Sequence, residues 1–302
     1  MIRPAAFDYN SETAATNRMQ QRADHGTVLA TEMARAEFDG FVLALESEGI
    51  RVCVAEDTLE PPKPDAVFPN NWVSFHQDGT VVLYPMQADS RRLERRQEVI
   101  DAVCDKLSYV VKRMVDLTHH EQQGLFLEGT GSLVLDNVNR VAYACRSPRT
   151  HAKVFEEWCE ALDYQAVMFD ALDRNGVPLY HTNVLMCIGS GAVIVGAECI
   201  VSSDREHVLE RLHATGRELV ALGHEQIASF AGNMLELASW DEALGDFRVL
   251  VMSASARQSL GPDTFAKLSA CTDSILAAPV PTIEKLGGGS VRCMLAEVFL
   301  PP

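Results

Sequence analysis

Cys293 is the best-placed nucleophile in this chain. It closes the segment Gly287-Gly288-Gly289-Ser290-Val291-Arg292-Cys293. Glycines there let the backbone and its donors come close to a bound molecule. The thiolate is the attacking form, and a cationic imidazole nearby lowers a thiol's pKa toward neutrality. His181, one of 9 histidines, stands at the mouth of the apolar run Val184-Leu185-Met186-Cys187 and is the candidate partner. Glu128 lies between an apolar pair and Gly129. A carboxylate buried there must be paired or hydrogen-bonded, so it could orient a histidine or receive a substrate N–H. Taken singly, each has an ordinary alternative: a cysteine in an apolar run is usually an inert buried thiol, and a loop glutamate is often solvated.

Asn71 and Asn183 offer amides, each both donor and acceptor, which suits a neutral amide-like ligand better than a cation. Asn183 follows His181 by two residues, which on an extended strand puts both on one side. Asn70 and Asn71 equally suit a turn. Arg149, beside Thr150 at the start of a predicted helix, could hold a carboxylate through two parallel bonds, or be an exposed helix arginine. His119-His120 with Glu121 raises the question of a metal. Adjacent histidines do not converge easily and no third ligand matches, so no metal is expected. Gly129-Thr130-Gly131 lacks the pattern of a phosphate loop, and no cofactor is expected.

A weak internal repeat could bring these residues together. A predicted helix over 27–48 leads to a strand at 50–54, then Phe68–Phe75, then a strand at 81–84. The second unit has a helix over 90–107, a strand at 108–115, the run 126–135 and a strand at 141–144. The third has a helix over 149–162, a strand at 164–169, the run 180–187 and a strand at 192–195. The fourth has a helix over 203–215, strands near 218–222 and 247–252, and the run 230–237 between them. The fifth has a helix over 261–270, a strand at 274–278 and the run 292–296. In each unit a polar residue stands at the mouth of an apolar strand: Asn71, Glu128, His181, Asn233 and Cys293. A unit this small cannot bury its own apolar face, so five are expected to pack around a shared axis with these residues at one end.

Composition fits one α/β domain over residues 1–302. The chain is 47% hydrophobic and 23% charged, with a formal charge of −16. This excludes disorder as the main state, and an acidic chain with no basic run is a poor nucleic-acid binder. No apolar stretch reaches the roughly 18 residues of a spanning helix, so no membrane association is expected. The N-terminus shows no signal peptide, and the 8 cysteines have no CxxC spacing. A cytoplasmic protein with buried thiols at Cys53, Cys145, Cys187 and Cys199 is expected. The expected partner is a small amino-acid substrate, and a homo-oligomer is left open.

The segments PDAVFPNNW, LEGTGSL, HTN and GGGSVRC, in this order, resemble the site loops of the guanidine-modifying superfamily of amidinotransferases and arginine deiminases. The resemblance covers nearly the whole chain and implies a five-bladed α/β-propeller. It implies a cysteine mechanism in which Cys293 attacks, His181 moves protons and Glu128 orients His181. It also implies substrate contacts from Asp65, Phe68, Asn71, Asn183 and Asn233, with Arg149 receiving the amino-acid carboxylate. The opening MIRPAAFDYNSETAATNRMQ, FPNNWVSFH and the ending CMLAEVFLPP are most similar to the citrulline-utilisation (CtlX-type) branch. That implies hydrolysis of citrulline to ornithine, ammonia and carbon dioxide. Relatives acting on arginine carry acids where Asn71 and Asn183 stand, and amides suit a neutral ureido group. The succinylarginine dihydrolases also carry amide for acid and accept a guanidinium. An arginine-type or N-succinylarginine-type enzyme is therefore the first rival, and a non-catalytic amino-acid-binding propeller the second.

Overall fold

The computed structural model describes residues 1–22, 26–241 and 245–299. The last three residues of the ending quoted above lie outside the described residues. The fold is α/β and is built from small sheets. The N-terminal pair is β1 (Ile2–Arg3) and β2 (Ala55–Glu56), which run parallel. Four three-stranded sheets follow one plan: β3 (Val73–Phe75), β4 (Thr80–Leu83) and β5 (Arg113–Asp116); β6 (Val134–Asp136), β7 (Val141–Cys145) and β8 (Gln165–Phe169); β9 (Met186–Ile188), β10 (Ala192–Val195) and β11 (Glu218–Ala221); and β12 (Leu235–Asp241), β13 (Gly245–Ser253) and β14 (Ser274–Ala278). In every sheet the first two strands are antiparallel and the third lies parallel to the second.

A parallel neighbour demands a crossover. The crossovers are the helices Gln97–Leu107, Ala152–Leu162, Ser202–His213 and Pro262–Ser269. Their apolar stripes decide which face turns inward. Ala152–Leu162 buries Val154, Phe155, Trp158, Cys159 and Leu162, the three- and four-residue spacing of one helix face. Each such side chain contributes about 1.5–3 kcal/mol on burial. The Trp158 indole N–H donates to the Tyr84 hydroxyl at 2.9 Å, so its polar atom is satisfied.

The expected repeat appears in these four sheets, with several corrections. The strand expected at 50–54 is absent. The long helix Thr27–Ser47 instead leads through irregular chain to β2, whose ladder with β1 stops after two residues. Pro4 comes next and brings no N–H to continue it. The expected strand at 292–296 is absent: residues 291–294 are tight turns, and among the described residues the chain after them makes the single bridge Phe75–Val298. The helix expected over 90–107 is two helices, Asp89–Arg92 and Gln97–Leu107. Between them the chain turns while Arg91, Glu94 and Arg95 reach inward for buried partners. The residues at the strand mouths do not enter strands directly either. Pro69–Asn71 and Thr182–Val184 are single 3-10 turns, and Gly129–Ser132 is one turn of α-helix.

No helix among the described residues is long and apolar enough to cross a membrane. All eight cysteines are free, and Cys53, Cys145, Cys187 and Cys199 are buried.

Candidate active site

The turns that precede the strands are stitched to one another by asparagine amides. Asn71 Nδ2 points to the Glu128 carbonyl at 3.5 Å. Asn183 Nδ2 donates to the Thr130 carbonyl at 3.0 Å, and Asn233 Nδ2 to the Asn183 carbonyl at 2.9 Å. The Arg292 N–H donates to Asn233 Oδ1 at 3.1 Å. Buried backbone groups in tight turns need partners that a ladder does not supply, and a short amide side chain provides them. Five segments far apart in sequence thereby meet at one place.

Cys293 is buried, with its sulfur 3.3 Å from Asn233 Nδ2 and 3.7 Å from Asn183 Nδ2. His181 and Glu128 are also buried, and His181 Nε2 lies 2.8 Å from Glu128 Oε2. The other Glu128 oxygen accepts the Gln87 N–H at 3.0 Å. Burial alone pushes the Glu128 carboxyl upward, but Arg149, the His181 hydrogen bond and Arg91 overcome it and hold the group ionised, well below the usual carboxylate range. Burial drives the His181 imidazole down to about 4 against the pull of Glu128, and the two arginines act in the same direction as burial. His181 is therefore neutral at pH 7 in the empty site and able to take a proton.

A narrow pocket is lined by Cys293, His181, Gly287, Gly288, Gly289, Asp65, Phe68 and Asn71. Phe68 packs closely on the glycine run: a Cβ at Gly287 would stand 2.7 Å from its ring. Asp65 is buried, and its Oδ2 accepts from Asn10 Nδ2 at 2.8 Å and Thr13 Oγ1 at 3.1 Å. Its Oδ1 has no hydrogen-bond partner among the described residues.

Arg149 lines the pocket but is not at a helix start. It precedes the N-cap His151, and its side chain is anchored by Thr16 Oγ1 at 2.9 Å, the Thr13 carbonyl at 2.7 Å and Glu128 Oε2 at 3.4 Å. Asn183 and Asn233 touch the Cys293 sulfur from the turns and are not among the pocket's lining residues. The expectation that Asn183 shares a strand face with His181 is corrected, because residues 182–184 form a 3-10 turn that rotates the amide toward Cys293. The amide of Asn71 has a fixed orientation. Arg91 Nη1 donates to Asn71 Oδ1 at 2.8 Å, and because guanidinium only donates, the Asn71 NH₂ must be the end left for the pocket and the Glu128 carbonyl.

Arg91, Thr13, Asn17 and Tyr180 belong to the site and were not singled out from sequence. Arg91 is fixed by a two-point pair with Glu94 (Nε–Oε1 2.9 Å, Nη2–Oε2 3.0 Å) and also lies 3.6 Å from Glu128 and 3.9 Å from Asp65. An arginine in a helix-like stretch gives no sign of facing inward. Tyr180 adjoins His181, which is its one clue, and its hydroxyl donates to the Gly288 carbonyl. Thr13 and Asn17 come from the N-terminal segment, whose resemblance to the CtlX-type branch assigned no site residue to it.

The His119–His120–Glu121 grouping resolves differently from expectation. Glu121 bonds Arg95 and the Met86 N–H, while Glu157 joins the two histidines so that one ligand atom of each lies within 4.8 Å of the others. The adjacent imidazoles do come together, with ring centroids 4.1 Å apart.

Residues 3–300 match the family model described as N,N dimethylarginine dimethylhydrolase, eukaryotic. No curated protein sequence matches the chain. Among solved structures, ArgZ, an arginine dihydrolase from the ornithine-ammonia cycle in Cyanobacteria, superposes with a TM-score of 0.73 at 16% identity. The match covers 100% of this chain and 40% of ArgZ, so this chain spans about two fifths of that enzyme. The substrate-bound N-terminal domain of ArgZ gives a TM-score of 0.72 at 16% identity, covering 99% of this chain and 97% of that domain. A dimethylarginine dimethylaminohydrolase adduct with S-methyl-L-thiocitrulline gives 0.63 at 14% identity, covering 97% and 96%. At these identities the structural likeness establishes the fold.

Proposed function

Because the chain belongs to the N,N dimethylarginine dimethylhydrolase family, we propose that it is a cysteine hydrolase that breaks C–N bonds at the guanidino carbon of an arginine-type amino acid. The observation that carries this reading is Asp65, a buried carboxylate whose Oδ1 has no partner in the pocket that also holds Cys293 and His181. A buried acceptor demands a donor, and a guanidinium offers N–H groups with the complementary charge.

The chemistry follows from the groups present. His181, neutral in the empty site, takes the proton of Cys293 when substrate enters. The thiolate attacks the guanidino carbon. The C–N bond then breaks as the resulting imidazolium returns its proton to the leaving nitrogen. Water, deprotonated by His181, attacks the covalent carbon–sulfur adduct and releases a ureido product and the thiol. Glu128 holds the imidazole and stabilises its cationic form. Asn183 and Asn233 fix the sulfur. Three of the five Arg149 N–H groups are engaged, which leaves two for a substrate carboxylate. We read the five units as one propeller, a reading supported by the side-chain amide hydrogen bonds that join the five turns to one another.

A second reading, a citrulline-type substrate as in the CtlX-type branch, is favoured by Asn71. Its NH₂ faces the pocket and matches a ureido oxygen better than a guanidinium N–H. The deciding assay follows ammonia, amine and urea release from arginine, N,N-dimethylarginine, N-succinylarginine and citrulline. We expect a guanidino compound to be turned over at least about tenfold faster than citrulline, with activity lost below about a thousandth in Cys293→Ala. Turnover of citrulline alone overturns the guanidino reading, and ligand binding without turnover of any compound leaves a binding protein.

A further inference from the structure

The nucleophile hangs from a short and unusual stretch of chain. Residues Ile283–Gly287 form a single turn of π-helix, Gly288 follows in the left-handed region at φ 61°, and the next turn carries Cys293. A π-turn has poorer internal hydrogen bonding than an α-helix and persists where outside groups hold it. Two carboxylates do so here. Glu37, from the long N-terminal helix, accepts the Thr282 N–H at 2.8 Å and the Ile283 N–H at 3.0 Å, which anchors the start. Glu284, within the π-turn, reaches forward and bonds the loop beyond the glycines. Its Oε1 accepts from Ser290 Oγ at 2.6 Å, and its Oε2 accepts from Ser255 Oγ at 2.5 Å. Ser290 in turn accepts the Cys293 N–H on its carbonyl at 2.9 Å.

Three glycines give this loop wide conformational freedom. Without a tether, the turn that presents the sulfur would sample many orientations. We propose that Glu284 is a positioning residue that acts through Ser290 to fix the Ser290–Cys293 turn and so aims the Cys293 sulfur into the pocket. Charge-assisted O–H···O⁻ bonds of this length are short and strong. Ser290 is fully buried and Glu284 nearly so, so water competes poorly for either group. Glu284 does not itself line the pocket or reach the sulfur; its carbonyl accepts the Gly288 N–H at 2.9 Å, and its carboxylate reaches the Cys293 turn through Ser290. This inference rests on Cys293 being the nucleophile.

The test compares Glu284→Ala, Glu284→Gln, Ser290→Ala and Ser255→Ala in the full chain. Two quantities are read: turnover of the best substrate, and the rate of Cys293 alkylation by iodoacetamide, followed by mass spectrometry of the Cys293 peptide. Glu284→Ala and Ser290→Ala should each lower kcat and the alkylation rate by at least about tenfold, with KM changed less than about threefold, since misplacing a reacting group costs rate more than binding. Glu284→Gln, which keeps one acceptor for Ser290, should recover most of the loss, and Ser255→Ala should stay within about threefold of wild type in both quantities. If Glu284→Ala does not fold, Ser290→Ala decides, because it removes one hydroxyl and leaves the π-turn and Glu284 in place. Wild-type kcat and alkylation rate in folded Ser290→Ala, or equal losses in Glu284→Gln and Glu284→Ala, overturn the proposal. Retained turnover in Cys293→Ala would instead overturn the nucleophile assignment, so the two failures are distinguishable.

Discussion

Replacing Asn71 by aspartate tests how the site tells a neutral ureido group from a cation. The side chain is buried, and Arg91 already holds Oδ1 at 2.8 Å. In Asn71→Asp that bond survives, and the second oxygen takes the place of the NH₂. It then lies about where Nδ2 stands, 3.5 Å from the Glu128 carbonyl. A donor toward the ligand is lost and a charged acceptor is gained. Loss of a neutral hydrogen bond to a ureido oxygen costs about 0.5–1.5 kcal/mol, and a new bond from guanidinium to a carboxylate is worth about 1.5–3 kcal/mol. The preference between the two ligands should move by about 2–4.5 kcal/mol, a factor of about 30 or more. Arg91 shares the new charge, so the lower end is expected. The assay is calorimetric binding of arginine and citrulline to Cys293→Ala with and without Asn71→Asp. A shift of the affinity ratio toward arginine by less than about threefold would refute the claim that Asn71 reads the ligand's polarity.

Stability should fall as the pH drops from about 6.5 to about 4. His181 and His76 both sit near 4 through burial, below the unfolded value of 6.5, so their contribution is present above 6.5 and lost on acidification through 4. Glu94, raised by burial to about 7 from 4.5, opposes them, because its contribution is full below 4.5 and lost as the pH rises through 7. Between pH 4.5 and 6.5 these three groups together take up about one proton on unfolding, a slope of about 1.4 kcal/mol per pH unit, which Glu37 and Glu297, also raised by burial, make shallower. Urea titrations at several pH values check this, and His76→Asn should flatten the slope. Gly131→Ala should cut kcat by about a hundredfold while the chain still folds. An added Cβ there would stand 2.3 Å from Asn71 Nδ2 and 2.8 Å from His181 Cε1, and wild-type kinetics would show that the two side chains can yield. Treatment with EDTA should leave activity unchanged; a loss restored by a divalent ion would point to the cluster of His119, His120 and Glu157.

The sequence by itself carried the order of helices and strands through the four three-stranded sheets and their crossovers, though not the expected strands at 50–54 and 292–296, because apolar stripes of period 3.6 and 2 are local properties. It also pointed to Cys293, His181 and Glu128 at strand mouths and, through the resemblance, to Asp65 and Phe68, and the structure brings these five residues to one place. Tertiary structure alone decided the directions of the amides. Whether Asn71 offers its N–H or its oxygen depends on Arg91, 20 residues away and itself held by Glu94. Whether Asn183 reads substrate or steadies the sulfur depends on a 3-10 turn where an extended strand was expected. The N-terminal residues Thr13 and Asn17 joined the pocket only because the opening segment, to which the sequence assigned no site residue, folds across it. The splitting of the helix over 90–107 has the same origin: Arg91 and Arg95 found partners in other parts of the chain, and Glu94 pairs with Arg91. Local pattern fixes which residues can form an element, and long-range pairing of polar groups inside the protein fixes which way each of them points.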